Sequence, residues 1–98
     1  MTIRIRTHPG EMLREEFLKP LGLSANALAM ALHVPTTRIT EILHERRGVT
    51  ADTALRLSQY FGTSPQLWLN LQQAYDLSKA ETELADIIAA EVRPRMHA

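Results

Sequence analysis

The chain has 98 residues, which is enough for one domain with a single core and too few for two ordinary domains. Hydrophobic residues make up 45% of it and aromatic residues only 5%, a composition rich in Leu and Ala that favours helix packing over strands. The absence of cysteine excludes disulfides and thiolate zinc sites, and the formal net charge of zero gives no overall basic excess.

The charges are unevenly distributed along the chain. Up to Arg56, eight basic residues outnumber six acidic ones, whereas five acidic residues outnumber three basic ones beyond it. A modest basic patch holds phosphates weakly, so we expect two copies to act together as a homodimer. The N-terminal segment lacks the apolar core of a signal peptide and no stretch is long enough to span a bilayer. We therefore expect a cytoplasmic protein without a membrane partner.

Helix breakers and capping residues predict five or six helices in one domain that spans residues 1–98. Pro9 and Gly10 open the first helix, which presents Leu13 and Phe17 on one face and ends at residues 19–22. Ser24 is expected to cap the second helix by accepting hydrogen bonds from its free backbone N–H groups. The prediction is an all-α fold with a compact core.

A tight turn at residues 33–35 separates the second helix from the third. Pro35 lies at or just before the start of the third helix, where no backbone donor is required, and that helix is expected to end near Leu43 or Glu45. A basic loop follows, in which Gly48 is free to adopt a positive φ.

The C-terminal part is predicted to supply core and dimerisation helices over about residues 64–92. Thr50 caps a fourth helix that Gly62 ends, and Ser64 with Pro65 starts a fifth. A last amphipathic segment runs from about Ala80 to Val92. The apolar faces of these segments exceed the needs of one small core, so we expect four residues to take part in dimerisation: Trp68, Leu71, Leu84 and Ile88. For Trp68 the alternative is a role as a core anchor.

Residues 24–44 have the pattern of a helix-turn-helix. Leu28 and Leu32 share one face of the second helix, and Ala29 lies where the third helix must cross closely. Such a unit holds polar side chains outward at the start of a rigid helix that enters a DNA major groove. We predict contacts to double-stranded operator DNA from nine residues: Ser24, Asn26, Thr36, Thr37, Arg38, Thr40, Glu41, Arg46 and Arg47.

Each of these assignments has a structural alternative. Arg38 either reaches a guanine or the DNA backbone, or pairs with an acidic residue of its own helix, Glu41 or Glu45. Glu41 is either a specificity residue that accepts from a cytosine amino group or an ordinary surface acid. The pair Arg46 and Arg47 either faces a phosphate strand or belongs to a solvated loop.

The sequence contains no motif for metal binding, cofactor binding or catalysis. The four histidines fit none of the zinc spacings, and Gly48 stands where a zinc-protease motif starting at His44 would need its second histidine. Neither a Ser/His/Asp grouping nor a glycine-rich phosphate loop stands out. We therefore expect neither a cofactor nor an enzyme activity.

The chain resembles the Xre or lambda-repressor-like helix-turn-helix family and, within it, the HigA antitoxins of the VapI type. The resemblance spans about His8 to Leu77 and is most specific from Trp68 to Leu77. Beyond the turn motif it rests on residues 8–13, 20–24, 46–50, 54–57, 61–65, 68–72 and 75–77. It implies a dimeric repressor of lambda-repressor-like fold that neutralises a RelE-like mRNA-cleaving toxin and represses its own operon. A stand-alone repressor without a toxin shares the same architecture.

Two departures from the family pattern concern the ends of the two helices. His33 occupies the turn position where this class usually has glycine, so a left-handed backbone is expected to carry strain there. His44 and Glu45 stand where many relatives have Asn-Gly, at the exit of the third helix.

Overall fold

The computed structural model describes residues 5–96. Arg4, one of the eight basic residues up to Arg56, and His97, one of the four histidines, lie outside the described residues. Within that range the chain folds into five helices without a strand, which confirms the all-α prediction. We call residues 9–21 α1; it consists of an α-helical start at Pro9–Met12, a π-helical segment at Leu13–Leu18 and an α-helical end at Lys19–Leu21. The remaining helices are α2 at Ala25–Leu32, α3 at Thr36–Leu43, α4 at Ala51–Phe61 and α5 at Pro65–Glu91.

Helix α1 contains a π-helical segment that the sequence analysis did not anticipate. The backbone N–H of Lys19 donates to the carbonyl of Arg14, five residues earlier, which is the π-helical pattern. In a regular α-helix two residues five positions apart lie on different faces. The wider turn brings Leu13 and Leu18 to the same buried face, so the core has two leucines where a regular helix would bury one.

The predicted helix caps are present. Ser24, Thr50 and Ser64 each accept a hydrogen bond from the backbone N–H three residues later, at 3.0, 3.5 and 3.2 Å. Gly22 and Gly62 end α1 and α4 in the left-handed conformation, with φ values of 61° and 76°. These short-range signals explain why the helix boundaries were predictable.

The C-terminal part is one helix, not two. Ser78 lies inside α5, where its hydroxyl donates to the Tyr75 carbonyl at 3.0 Å and accepts from the Arg6 backbone N–H at 2.9 Å. A serine whose hydroxyl donates to a carbonyl of the preceding turn lies in a helix interior and does not cap a new helix. The expectation of a separate last helix from Ala80 is therefore wrong, and the sixth predicted helix is the second half of α5.

The hydrophobic core lies between α1, α2, α3, α4 and the first half of α5. Its fully buried members include Leu13, Leu28, Ile39, Leu57 and Trp68. From Lys79 onward every residue of α5 is exposed, and the described chain measures 56 × 27 × 20 Å. The second half of α5 thus extends beyond the core, and the expectation of a compact fold holds only for the part before it.

The indole of Trp68 is a core group. It is 0% exposed, its Nε1 donates to the Thr63 hydroxyl at 2.8 Å, and its ring centre lies 5.2 Å from that of Phe17. A side chain without accessible surface cannot contact a second copy. The assignment of Trp68 to dimerisation is therefore wrong, and its role is to anchor α5 against α1.

Candidate nucleic-acid interface

Helices α2 and α3 form the predicted pair joined by a tight turn. Ala29 is 1% exposed, so the two helices approach each other closely there. The chain turns at His33, whose φ of 58° is left-handed, and the N–H of Val34 then returns to the Ala29 carbonyl at 3.0 Å. The expectation of a left-handed histidine is confirmed. This turn fixes the direction in which α3 leaves α2.

A polar contact between the starts of the two helices strengthens this geometry. The Thr36 hydroxyl donates to the side-chain oxygen of Asn26 at 2.9 Å, while the amide nitrogen of Asn26 faces the sulfur of Met30 at 3.7 Å. Ser24, next to this contact, uses its hydroxyl to cap α2. Of the nine predicted DNA-contacting residues, Asn26 and Thr36 therefore join the starts of the two helices, and Ser24 caps α2.

The outer side of α3 carries the other predicted contacts. Thr37 is exposed, and Thr40, one turn on, donates its hydroxyl to the Thr37 carbonyl at 3.2 Å. Glu41 is half-buried and forms an ion pair with Arg47 at 2.6 Å, which brings the loop arginine beside α3. Arg46 is exposed. The structure thus places threonine hydroxyls, one carboxylate and two guanidinium groups around the exposed side of a single helix.

Arg38 has a partner that the sequence analysis did not consider. Its Nη1 donates to Oδ2 of Asp52 on α4 at 2.6 Å, so the alternative of a pair with Glu41 or Glu45 is wrong. The same carboxylate oxygen accepts from Nε of Arg56 at 3.1 Å. Asp52 therefore connects α4 to α3 through the guanidinium of Arg38, and Arg56 of its own helix shares the same carboxylate oxygen.

Two arginines from outside the pair satisfy the carbonyls at the ends of α2 and α3. Arg56 donates from Nη1 to the Leu32 carbonyl at 2.8 Å, at the end of α2. Arg14 of α1 donates from Nη1 to the Leu43 carbonyl, at the end of α3, and its Nη2 lies 3.8 Å from Glu45. Both cations face the negative end of a helix. Sequence reasoning missed both, since their partners are 24 and 29 residues away.

The basic loop after α3 is fixed by α5. Gly48 does not have the predicted positive φ; Glu45 does, at 60°. The reason for glycine at position 48 is close approach, because an added Cβ would lie 2.9 Å from Cδ of Gln72. That side chain accepts the N–H of Val49 at 2.7 Å. The loop that carries Arg46 and Arg47 is therefore held in place by a residue of α5.

His8 is a buried structural histidine. Its Nδ1 accepts from the Gly10 N–H at 2.9 Å, and its ring meets that of Tyr75 edge-on at 4.7 Å. Burial lowers the pKa of His8 below its usual value, which favours the neutral form that this acceptor role requires. Over residues 5–96, no group of three or more His, Asp or Glu side chains could hold a metal ion. No helix of that range has the length and apolar character needed to cross a membrane.

The second half of α5 presents an unpartnered apolar stripe, which we call the distal face. It consists of Leu77, Ala80, Leu84, Ile87 and Ile88. Leu84 is 44% exposed and Ile88 49%, whereas Leu71, nearer the core, is half-buried against it. Of the four residues predicted for dimerisation, Leu84 and Ile88 therefore offer the most surface.

Comparison with known proteins places this geometry in context. Residues 14–68 match the helix-turn-helix family model, from α1 to the start of α5. Virulence-associated protein I of Dichelobacter nodosus is 65% identical over 80 residues, 82% of this chain and 74% of that protein. The structure of Pseudomonas aeruginosa antitoxin HigA with the higBA promoter aligns at a TM-score of 0.88, with 44% identity over 95% of this chain and 100% of that one. Antitoxin GraA in complex with its operator aligns at 0.90, with 49% identity over 99% and 98%.

Proposed function

Because the chain belongs to the helix-turn-helix family, among the VapI-type and HigA antitoxins, we propose that it is a dimeric repressor that binds operator DNA and inhibits a toxin. The observation that carries the DNA part is the exposed side of α3, where Thr37, Thr40 and Glu41 lie beside the loop arginines. The promoter and operator complexes of the two related antitoxins support the same assignment.

The side chains around α3 divide into two functional groups. Thr37, Thr40 and Glu41 project from the first two turns of α3, where hydroxyls, a methyl group and a carboxylate can meet base edges. Arg46 and Arg47 follow the helix, where the chain would pass a phosphate strand. Three polar residues lie at the starts of the two helices: Ser24, Asn26 and Thr36. We propose that they position the helix pair against the sugar-phosphate backbone of the DNA.

We expect Thr37→Ala and Arg47→Ala to impair DNA binding in different ways. Loss of the Thr37 hydroxyl and methyl should relax sequence preference and cost about 1 to 3 kcal/mol on the operator. Loss of Arg47 should weaken binding to every sequence and lower the salt slope by about one unit. The measurement is anisotropy on the DNA upstream of the gene and on a random duplex over a range of salt.

Two further variants control this comparison. Arg93→Ala removes the same charge from the exposed C-terminal end, and its effect should be smaller than that of Arg47→Ala. Glu41→Gln separates the two roles left open for Glu41, because only a base-reading carboxylate changes the preferred sequence. If Thr37→Ala and Arg47→Ala both bind operator and random DNA like the unmodified protein, α3 is not the recognition helix.

The proposed protein partner is a RelE-like, mRNA-cleaving toxin. A protein that binds RNA carries a basic surface, and acidic residues of an inhibitor would attract that surface. On α1, Glu15 is already paired with Lys19 and Arg14, at 2.8 and 2.9 Å. On α5 the exposed acidic residues are Asp76, Glu81, Glu83, Asp86 and Glu91. We therefore propose that α5 supplies the main attraction.

Co-expression with the product of the adjacent gene tests this partnership. We expect rescue of growth and a complex that survives purification at low salt. Glu81→Lys combined with Glu83→Lys should slow association more than Glu11→Lys combined with Glu16→Lys on α1. If the neighbouring product is harmless, or no complex forms, the protein is a stand-alone dimeric repressor and the DNA proposal is unaffected.

A further inference from the structure

Asp52 lies in the first turn of α4 and binds two arginines with one carboxylate oxygen. Arg38 reaches it from α3 at 2.6 Å and Arg56 from the next turn of α4 at 3.1 Å. The hydrogen bonds from Arg56 and Arg38 lower the pKa of Asp52 below its usual value. The carboxylate is therefore ionised at neutral pH.

The two arginines depend on Asp52 to different degrees. Arg56 also donates to the Leu32 and His33 carbonyls at 2.8 and 3.5 Å, so it keeps its place without Asp52. Arg38 has no other ion-pair partner among residues 5–96. It lies beside Thr37 in the first turn of α3, and its side chain is 29% exposed. One carboxylate therefore determines where the Arg38 guanidinium points.

We propose that Asp52 withholds Arg38 from DNA phosphates and so limits the sequence-independent affinity of the protein for DNA. This inference rests on the proposed function, since α3 must face DNA for Arg38 to matter. Non-specific complexes depend almost entirely on electrostatic attraction to phosphate, so each uncompensated cation at the interface strengthens them. In the operator complex, base contacts by Thr37 and its neighbours add to that attraction. Neutralising one cation therefore weakens binding to every sequence, and most visibly to random sequence, where phosphate contacts alone hold the complex.

The test is Asp52→Asn, which keeps the side-chain shape and removes the charge. On a random-sequence duplex at low salt we expect this variant to bind several-fold tighter than the unmodified protein. The slope of log affinity against log salt should steepen by about one unit, the value for one additional phosphate contact. Operator affinity should rise by a similar factor, because a phosphate contact strengthens binding to every sequence. Asp86→Asn, which removes the same charge from the exposed second half of α5, should change the slope less.

Two variants of Arg38 establish whether the effect acts through that residue. Combining Arg38→Gln with Asp52→Asn should abolish the gain in affinity and slope. Arg38→Gln alone should bind the random duplex nearly as well as the unmodified protein, because Asp52 already withholds the charge; this variant remains informative if Asp52→Asn does not fold. Thermal unfolding checks that each variant is folded.

Three results would overturn the inference. Asp52→Asn could bind random DNA no more tightly than Asp86→Asn does, the gain could persist in the double variant, or Arg38→Gln could lose as much as Arg46→Ala, which removes an exposed arginine without an ion-pair partner among residues 5–96. A different result would contradict the proposed function itself. In that case the unmodified protein would bind the DNA upstream of its gene no better than random DNA at any salt concentration.

Discussion

Combining Leu84→Lys with Ile88→Lys is expected to convert the protein into a monomer and to weaken its binding to an inverted-repeat operator by about 100-fold or more. Both side chains lie on the distal face of α5, beyond the core, at 44% and 49% exposure. We propose that a second copy covers this face by two-fold symmetry, and such dimers bind half-sites about 34 Å apart, one DNA turn. Without it, each half-site is bound alone and the gain from linking them is lost.

Sedimentation and anisotropy on the inverted repeat measure the two effects. The unfolding temperature should stay close to that of the unmodified protein, because neither Leu84 nor Ile88 contributes to the core. A control places a lysine at Thr82, on the opposite side of the helix by its 3.6-residue period. Unmodified protein that sediments only as a monomer at micromolar concentration, with and without DNA, would contradict the proposed dimer.

Gly10→Ala is expected to destabilise the fold by about 3 kcal/mol or more. The added Cβ would lie 1.8 Å from the carbonyl oxygen of Ile42 and 3.0 Å from Nδ1 of His8. Ile42 is a buried residue of α3, so the obstacle is backbone and the two helices must separate. DNA binding should fall as well, because α3 is the helix that must move.

Urea unfolding measures the loss of stability in Gly10→Ala and in Gly22→Ala. The comparison separates the cost of a steric clash between helices from the cost of a left-handed backbone. Gly22 has open space around its Cβ position but a φ of 61°, so alanine there should cost about 1 to 2 kcal/mol from the left-handed backbone alone. A larger loss at Gly10 is the expected result. Equal losses at the two positions would show that α1 and α3 can separate without penalty.

The helices were predictable because their start and stop signals are local. Ser24 caps α2 through an atom only three residues away, and the same holds for Thr50 and Ser64. The left-handed backbone at His33 was expected from the resemblance to the helix-turn-helix family, which usually has glycine at this turn position. The π-helical segment of α1 was not predictable, because it satisfies the core contacts of Leu18 and breaks no local rule.

The residues that support the candidate interface were much harder to predict. Arg38 and Asp52 are 14 residues apart on different helices, and no periodicity links them. The same is true of Gly48 and Gln72, whose contact holds the basic loop against α5. Such pairs form where two helices cross, and the crossing geometry cannot be read directly from a single sequence. Trp68 illustrates the converse error, because a large apolar residue on a helix face has the same pattern in a core as in an interface.

The pairing of cations inside the protein has a consequence for how quickly it would find DNA. Arg14, Arg38, Arg47, Arg56 and Lys19 each lie within 4 Å of a carboxylate, which cancels most of their field at a distance. A surface compensated in this way attracts DNA weakly from afar, so encounter should proceed at about 10⁵ to 10⁶ M⁻¹s⁻¹, the range without electrostatic steering. If the protein acts as proposed, operator and random DNA then differ mainly in the rate at which each complex dissociates.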